Sequence, residues 1–352
     1  MLVSDFDFPL PDELIAQEAA PRGTSRMLVM RRDTAVSEHA TVTDLPALLG
    51  EGNLLLVNDT RVFAARLLGR RVPSGGAVEC LLLSLPDPGP DGSVECDALM
   101  HPGQKLKPGA IVQIGEGEQT LACEVLERKF FGRRRVRLTA LGGGDVAALV
   151  DRFGHIPLPP YIRREDTPED RERYQTVFAS ARGSVAAPTA GLHFTPAILE
   201  ALEARGIHTA AITLHVGYGT FKPVRTDVVE EHTVDPESYE IGSDAADLVN
   251  ATLDAGRRVI AVGTTTTRAL EDAAVRGGGR IRAGRAEATT FIYPGFRFRV
   301  IGGLMTNFHL PRSSLLMLVC AFAGRERALA AYGEAIARRY RFYSYGDAML
   351  VL

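Results

Sequence analysis

Strand-like and helix-like segments alternate along most of the chain, and this order is the feature that most constrains its fold. Residues 54–57 form an apolar run typical of a buried strand, and residues 207–216 and 258–262 predict two more strands. Thr195 and Pro196 fit the N-cap and the first position of a helix that ends at Gly206. A turn over 263–267 leads into a helix over 268–275. This order predicts an α/β fold with a three-layer core on a large, mostly parallel or mixed sheet.

Residues 69–140 have a different character from their surroundings. Short alternating runs, such as 77–83 and 110–114, are separated there by Gly and Pro turns. This pattern predicts a small inserted β-barrel domain. We therefore expect an α/β catalytic core formed by residues 1–68 and 141–352, with the barrel over 69–140 inserted into it.

The apolar pattern indicates an ordinary soluble protein, with 45% hydrophobic residues in a chain of 352. No basic start leads into an apolar run and a cleavage site, and the apolar stretch 315–323 is too short to span a bilayer. We therefore expect a cytoplasmic protein without a membrane partner. The four cysteines, Cys80, Cys96, Cys123 and Cys320, lack CxxC spacing, so we interpret them as buried thiols and expect no metal site.

Arginine clusters indicate an uneven surface on a chain whose net charge is −3. A protein that coats nucleic acid non-specifically needs an excess of Lys and Arg, so that class is disfavoured. Each cluster alone is more often a solvated face, but several clusters in a slightly acidic chain suit a folded RNA partner. The candidate RNA contacts are Arg133, Arg134, Arg135, Arg163 and Arg164.

The segment over residues 183–195 is rich in small residues and includes Thr189, Gly191 and His193. Small residues let a backbone approach a ligand closely, and the helix start that follows offers unpaired N–H groups. Such a site favours an anion or a polar group of a ligand. A tight crossover of the chain, with only a structural role, explains the small residues equally well. His193 suits proton transfer or substrate contact, but a lone histidine is more often a satisfied hydrogen-bonding group.

Residues 263–268 repeat this theme with hydroxyl groups, because four threonines separate Gly263 from Arg268. Helix capping explains one threonine and not four, so Thr264 and Thr265 are candidates to hold a carboxylate or a ribose. Arg268 can contact a carboxylate with two N–H groups, although an ordinary helix salt bridge is an equally good explanation.

Other polar groups follow the predicted strands or stand beside apolar runs. Those that follow strands are Asn58, Asp59, Arg61, His215 and Gly217. In open α/β sheets ligands bind beyond the carboxyl ends of the strands, which is where these groups fall. Asn307 and His309 precede a helix over 313–323 that is apolar on all sides, and Asp347 precedes an apolar C-terminal stretch. Polar groups beside buried segments are either satisfied structural groups or ligand contacts.

Several motifs that would identify other chemistry are absent from the sequence. It has no GxGxxG after the first strand, no Walker loop, no HExxH and no GxSxG. Hydride transfer with NAD, nucleotide hydrolysis and serine-hydrolase chemistry are therefore disfavoured. Acid, base and electrostatic catalysis remain.

A series of segments, spread almost end to end, resembles one known family. They are Asp5-Phe6-Asp7-Phe8, Leu14-Ile15-Ala16-Gln17, Asn58-Asp59-Thr60-Arg61, Pro157-Leu158-Pro159-Pro160-Tyr161-Ile162, Tyr174-Gln175-Thr176-Val177, residues 183–195, residues 214–221, Gly263-Thr264-Thr265 with Arg268, residues 306–311 and residues 340–347. In this order they resemble the S-adenosylmethionine:tRNA ribosyltransferase-isomerase family. Each segment alone is a weak signal, whereas the ordered set is specific.

The resemblance implies that the ribosyl group of S-adenosylmethionine is transferred to 7-aminomethyl-7-deazaguanine at the wobble position of tRNA and isomerised there. Epoxyqueuosine, adenine and methionine are then the products. The implied partners are tRNA and S-adenosylmethionine, the latter as co-substrate, with no metal and no other cofactor. The implied fold, an α/β core with an inserted β-barrel, agrees with the change of pattern over 69–140.

Such a reaction needs a general base near the sulfonium, which acidifies the protons on the adjacent ribose carbon, and a proton donor for adenine. The candidates for these catalytic roles are His193, His215, Glu237 and Asp347, and the sequence does not divide the roles among them. Thr264, Thr265 and Arg268 are expected at the methionine or ribose end. The expected substrate contacts are Asn58, Asp59, Arg61, Thr189, Gly191, Gly217, Gly263, Thr264, Thr265, Arg268, Asn307 and His309.

Three positions depart from the pattern that the resemblance implies. Asp235 stands where the family usually has a histidine, and Val234 where it has Met. If that histidine were the essential base, the activity of this chain would be in question, whereas a moderate substitution leaves Glu237 and Tyr239 in place. His101 replaces a basic residue common before a Pro-Gly pair, so a weaker phosphate contact is expected there.

Two other classes of protein fit part of the pattern. An S-adenosylmethionine-dependent RNA methyltransferase also needs a glycine-rich loop and basic patches, but it leaves S-adenosylhomocysteine and adds a single methyl group. An RNA-binding protein without catalysis fits the arginine clusters. A pure RNA binder has no need for polar loops beside buried segments.

Overall fold

A computed structural model describes residues 1–34, 36–85, 92–221 and 223–352. Its strands are β1 (Arg26–Met30), β2 (Ser37–Thr41), β3 (Leu54–Asn58), β4 (Thr60–Val62), β5 (Arg66–Val72), β6 (Ala77–Leu82), β7 (Val94–His101), β8 (Ile111–Ile114), β9 (Thr120–Arg128), β10 (Arg133–Leu141), β11 (Gly154–His155), β12 (Ala181–Ser184), β13 (His208–Leu214), β14 (Glu237–Ile241), β15 (Val259–Val262), β16 (Gly284–Ala288), β17 (Ile301–Asn307) and β18 (Ala348–Val351). Its α-helices are α1 (Leu45–Leu48), α2 (Val146–Phe153), α3 (Asp170–Arg173), α4 (Pro196–Glu203), α5 (Ser243–Asp254), α6 (Thr264–Arg276), α7 (Ser314–Ala323) and α8 (Arg325–Ala337).

The large sheet has nine strands in the order β16-β14-β13-β3-β15-β17-β18-β1-β2. Its centre is parallel, because β3 pairs with both β13 and β15, and β15 pairs with β17. Antiparallel pairs flank this centre, with β14 against β13 on one side and β18 against β17 on the other. The predicted mixed α/β organisation is therefore confirmed.

Successive residues of β3 pack on opposite faces of the large sheet. Leu54 and Leu56 join a core cluster that contains residues of α5, α6, α7 and α8. Leu55 and Val57 join a second cluster, which contains residues of α1 and α4. Burial on both faces explains why residues 54–57 are an uninterrupted apolar run rather than an alternating one.

The predicted helix starts are confirmed at two positions and wrong at a third. The Thr195 hydroxyl accepts a hydrogen bond from the N–H of Ile198 at 3.2 Å and caps α4. Ser313 caps α7 in the same way. The turn expected over 263–267 is instead the first turn of α6, because Gly263 adopts a φ of 94° that takes the chain directly from β15 into the helix. Within the described ranges, no helix is long and apolar enough to cross a membrane.

A separate antiparallel sheet has the order β11-β5-β6-β7-β10-β9-β8, and β8 pairs with β5 as well as with β9. Alternate side chains of its strands form a core cluster of their own, in which Cys80, Cys96 and Cys123 lie. These three thiols and that of Cys320 are buried, which confirms the interpretation of the cysteines. Burial raises the pKa of Cys96 to about 12.

Candidate functional site

The segments that follow β13, β15 and β17 border a cavity of about 610 Å³, named here the large cavity. β13 and β15 each pair in parallel with β3, and β17 pairs in parallel with β15. The carboxyl ends of these strands therefore meet at one edge of the large sheet. The structure brings together six of the expected substrate contacts in its wall. They are Thr189, Gly263, Thr264, Thr265, Asn307 and His309.

The N-terminus of α6 opens on the large cavity. The hydroxyls of Thr266 and Thr267 donate back to the carbonyls of Val262 and Gly263, at 2.7 and 3.1 Å. These two threonines are therefore structural, whereas Thr264 and Thr265 line the cavity. Because the first N–H groups of a helix lack intrahelical partners, this end attracts a carboxylate or another anion.

Polar groups at the end of β17 and just after it form a second part of the same wall. The hydroxyl of Thr306 and Nε2 of His309 lie 2.8 Å apart. Burial lowers the pKa of His309 to about 3, so its imidazole is neutral at neutral pH. The amide of Asn307 donates to the carbonyl of Tyr343 at 2.9 Å and ties the strand end to residues 340–347.

A narrower space of about 60 Å³, the small cavity, adjoins the large cavity, and the first turn of α6 lines both. Glu237 and Arg268 form an ion pair in its wall. Glu237 Oε1 also accepts hydrogen bonds from the N–H of Gly217 at 3.0 Å and from the Thr220 hydroxyl at 2.8 Å. The Nε of Arg268 is buried and has no partner among the described residues, so this guanidinium retains a donor for a ligand.

His232 is a residue of the small cavity that the sequence analysis missed as a candidate. Its ring packs edge-on against Phe291, with 5.1 Å between the ring centroids. Partial burial lowers the pKa of His232, and the nearby Asp235 opposes this shift. The available signal was its place five residues before Glu237, but only the fold shows that both side chains line one space.

Asp235, the departure from the family pattern, connects the two sheets. Its Oδ2 lies 3.1 Å from Nη2 of Arg133, which begins β10 of the antiparallel sheet. Its backbone carbonyl accepts a hydrogen bond from Arg268 at 3.4 Å. A Cβ on Gly219 would lie 2.6 Å from Oδ2 of Asp235, so the turn that holds Thr220 packs directly against this carboxylate.

Asp347 lies apart from both cavities, in a cluster of arginines. Its carboxylate forms ion pairs with Arg26 at 2.9 Å and Arg341 at 3.2 Å. It also accepts hydrogen bonds from the backbone N–H groups of the same two arginines. These contacts fix the start of β18 beside β1.

His193 and His215 line neither the large nor the small cavity. Burial lowers the pKa of His193 to about 4, and its Nδ1 lies 2.9 Å from the hydroxyl of Ser25. Nδ1 of His215 lies 2.8 Å from the hydroxyl of Thr60. A Cβ on Gly183 would lie 2.6 Å from the His215 ring, which explains a glycine there by close packing.

Of four further expected contacts, three belong to the framework around the cavities and one, Arg61, is exposed. The side chain of Asn58 exchanges two hydrogen bonds with the backbone of Leu214, at 2.9 and 3.0 Å. Asp59 accepts from the Thr213 hydroxyl at 2.6 Å. Arg61 is exposed on β4, and a Cβ on Gly191 would lie 2.7 Å from Thr176.

The candidate RNA contacts differ widely in exposure. The guanidinium of Arg134 is buried and donates to the carbonyls of Leu106, Arg133 and Gly103, at 3.2, 2.9 and 2.8 Å. Arg135 pairs with carboxylates on β7, and Arg164 pairs with Asp170 at 2.6 Å. Arg163 has a side chain that is 71% exposed and stands at the wall of the large cavity, so it is the candidate with the most accessible charge.

A third space of about 420 Å³, the intersheet cavity, lies between the antiparallel sheet and the segment over 156–166. The antiparallel sheet contributes Arg66, Glu79, Leu81, Leu99, Met100 and His101. Pro160 lines both this cavity and the large cavity, so the two spaces adjoin. In the described part of the chain, no group of three or more His, Cys, Asp or Glu side chains is arranged to hold a metal ion.

Comparison with known proteins gives one consistent result. The profile of the family described as "Queuosine biosynthesis protein" matches residues 3–351. A relative from Heliobacterium modesticaldum is 49% identical over 353 residues, with both chains fully covered. One from Anaeromyxobacter sp. is 53% identical over 357 residues, which cover 100% of this chain and 99% of that one. Both relatives are named S-adenosylmethionine:tRNA ribosyltransferase-isomerase.

A solved structure is similar in sequence and in fold. The crystal structure of an S-adenosylmethionine tRNA ribosyltransferase from Thermotoga maritima is 34% identical, with a TM-score of 0.54. The match covers 99% of this chain and 100% of that one.

Proposed function

This chain belongs to the S-adenosylmethionine:tRNA ribosyltransferase-isomerase family of queuosine biosynthesis, and we propose that its large and small cavities together hold S-adenosylmethionine. The ribosyl group is transferred from there to 7-aminomethyl-7-deazaguanine at the tRNA wobble position. The products are epoxyqueuosine in the tRNA, free adenine and methionine.

The observation that carries this proposal is the Glu237–Arg268 ion pair beside the N-terminus of α6. The methionyl end of S-adenosylmethionine bears an ammonium and a carboxylate on one carbon. The unpartnered Nε of Arg268 and the first N–H groups of α6 suit the carboxylate, and the carboxylate of Glu237 suits the ammonium. Both charges of the amino acid thus find a group of opposite sign.

The adenosyl part of S-adenosylmethionine fits the large cavity. Its apolar wall includes Ile15, Val224 and Leu315, against which an adenine ring can be buried. Thr189 and the neutral His309 supply polar contacts in the same wall. The first turn of α6 lines both cavities, so the ribose and sulfonium lie beside Thr264 and Thr265 in this arrangement.

His232 is the side chain that we propose as the general base. A base beside the sulfonium takes a proton from the adjacent ribose carbon, and adenine departs with the electrons of its glycosidic bond and with a proton returned by the protonated base. The aminomethyl nitrogen then bonds the ribosyl group and releases a proton, as methionine leaves with the electrons of its carbon–sulfur bond. Because partial burial lowers the pKa of His232, its imidazole is neutral at neutral pH and able to accept the proton.

The remaining parts of the proposal concern the RNA, the cofactors and the inserted unit. We propose that Arg163 contacts tRNA phosphate, since its guanidinium is exposed at the cavity wall.

We propose that residues 69–140 form an inserted β-barrel domain, which the return of β8 to β5 supports. Proton transfer and leaving-group departure need only S-adenosylmethionine as co-substrate, so we propose no metal and no other cofactor. The work of such an enzyme on tRNA fits a cytoplasmic location.

Release of adenine tests the proposed function. The protein is incubated with S-adenosylmethionine and with tRNA that carries either 7-aminomethyl-7-deazaguanine or unmodified guanine at the wobble position. We expect free adenine and methionine only with the aminomethyl base. S-adenosylhomocysteine with a methylated tRNA would instead support the RNA methyltransferase, and binding of both substrates without any product would support a non-catalytic RNA binder.

A further inference from the structure

The intersheet cavity has no role in the binding of S-adenosylmethionine described above. We propose that it receives the acceptor base, a guanine-type purine that has been taken out of the RNA stack. The proposal rests on the proposed function, because it assigns a site to the second substrate of the same reaction. Enzymes that act on a nucleobase place it in a pocket, since the reacting atom is otherwise enclosed by neighbouring bases.

The position of the intersheet cavity suits transfer from the large cavity. Pro160 lines both spaces. The short helical turn Tyr218–Phe221 also separates them, because Tyr218 lines the intersheet cavity and Thr220 lines the large cavity. A base in the intersheet cavity and a ribose in the large cavity are therefore neighbours, and the aminomethyl group reaches the ribose where the two spaces adjoin beside Pro160.

The walls of the intersheet cavity match the two kinds of surface on a purine. Leu81, Leu99 and Met100 from the antiparallel sheet and Ile156 and Leu158 from the opposite segment provide apolar contact for the ring faces. Its volume of about 420 Å³ falls in the range typical of small-molecule sites.

The Arg66–Glu79 pair supplies the polar recognition. Nη2 of Arg66 lies 3.1 Å from Oε2 of Glu79, on the neighbouring strands β5 and β6. The two side chains are 27% and 42% exposed, so each retains accessible polar atoms. The Watson–Crick edge of a guanine-type base presents two N–H donors beside one oxygen acceptor. A carboxylate next to a guanidinium presents the complementary order of acceptors and donors. The 7-substituent lies on the five-membered ring and takes no part in these contacts, so it remains free to react where the intersheet cavity adjoins the large cavity.

Phe130 is a second, independent observation at this site. Its side chain is 86% exposed, the largest exposure among the exposed apolar side chains described. It belongs to the turn Phe130–Gly132, and Gly132 lines the intersheet cavity. An exposed aromatic ring beside a base pocket offers a stacking surface to the neighbouring, unpaired base.

Substitutions at these two positions test the proposal in the intact protein. Adenine release is measured at saturating S-adenosylmethionine against increasing concentrations of tRNA carrying 7-aminomethyl-7-deazaguanine. We expect Glu79→Gln to lower kcat/KM for this tRNA by roughly ten- to a hundredfold, because one bidentate base contact is worth about that factor. Phe130→Ala, which alters only an exposed side chain, should weaken binding of the tRNA by about tenfold. Affinity for S-adenosylmethionine should not change in either variant.

The matched control is Glu124→Gln on the same antiparallel sheet. Glu124 also forms a pair with an arginine on a neighbouring strand, Arg137 at 3.5 Å, and is 42% exposed like Glu79, but it does not line the intersheet cavity. If Glu79→Gln and Phe130→Ala act on tRNA no more strongly than Glu124→Gln while the unaltered protein releases adenine, the site is wrong and the proposed function stands. If Glu79→Gln loses tRNA affinity while the unaltered protein binds tRNA and releases no adenine, the site stands and the proposed function fails.

Discussion

The guanidinium of Arg268 donates a hydrogen bond to Oε2 of Glu237, and both side chains are almost excluded from solvent, at 14% and 4% exposure. Removing one partner leaves the other charge buried. Arg268→Gln should therefore lower the free energy of unfolding by about 3 kcal/mol, and the double variant with Glu237→Gln should recover most of that loss. Urea unfolding measures both effects.

The same pair of variants separates stability from ligand binding. We expect Arg268→Gln and the double variant to bind S-adenosylmethionine weakly, because neither retains both of the charges that match the methionyl group. Their affinity for tRNA should be unchanged. Arg276→Gln is the matched control: this arginine of the same helix pairs with Asp272 at 2.6 Å and is 50% exposed. Equal loss of affinity for S-adenosylmethionine and tRNA in Arg268→Gln would contradict the assigned role.

A second prediction concerns the proposed base. His232→Gln should lower kcat by about 10²- to 10⁴-fold with unchanged affinity for S-adenosylmethionine. The neutral imidazole is the active form and burial lowers its pKa from the ordinary value of a histidine, so the unaltered enzyme should keep its activity at neutral pH and lose it in acid. His39→Gln, which alters a contact with Glu334 at 2.8 Å outside both cavities, is the control. An unchanged kcat in His232→Gln would assign the base elsewhere.

A third prediction concerns the position where the family usually has a histidine. Asp235 and Arg133 are 39% and 38% exposed, so water screens their ion pair. A double-mutant cycle with Asp235→Asn and Arg133→Gln should give a coupling of about 0.2–1 kcal/mol, and Asp235→Asn should still release adenine. Loss of adenine release in Asp235→Asn, with both substrates bound, would instead make Asp235 a catalytic residue.

A fourth prediction follows from the buried histidines. The pKa of His193 is about 4 and that of His309 about 3 in the folded protein, against 6.5 for an ordinary histidine. Below pH 6.5 the unfolded chain therefore binds more protons than the folded one, and stability decreases as the pH falls toward those values. Each histidine adds about 1.4 kcal/mol per pH unit to this decrease. His193→Asn should unfold with a shallower dependence on pH between 6 and 4, and an unchanged slope would contradict this explanation.

Local signals in the sequence predicted much of the fold. The run over 54–57 indicated a strand buried on both faces, and Thr195 with Pro196 indicated the start of α4, because burial and capping leave local patterns. The change of character over 69–140 fits the separate antiparallel sheet. The predicted start of α6 was wrong because the positive φ of Gly263 leads the chain from β15 into the helix without a loop. Four successive threonines are also not typical of a helical turn.

Pairing between distant residues limited the prediction of the site. Glu237 and Arg268 were both candidates, but their pairing depends on β14 and α6 meeting at one cavity. Asp347 had the sequence features of a functional acid, yet Arg26, which is 321 residues away, neutralises it in the fold. His232 was not predicted as a candidate because its neighbours in the sequence do not indicate that it lines the same cavity as Arg268.

The transfer of the ribosyl group is tested most directly with S-adenosylmethionine that carries ¹³C in all ribose carbons. After incubation with tRNA bearing 7-aminomethyl-7-deazaguanine, the modified nucleoside is isolated and its mass measured. We predict that every labelled carbon appears in the nucleoside and that an equal amount of unlabelled adenine is released. A nucleoside without the label, or one that has gained only a methyl group, would contradict the account.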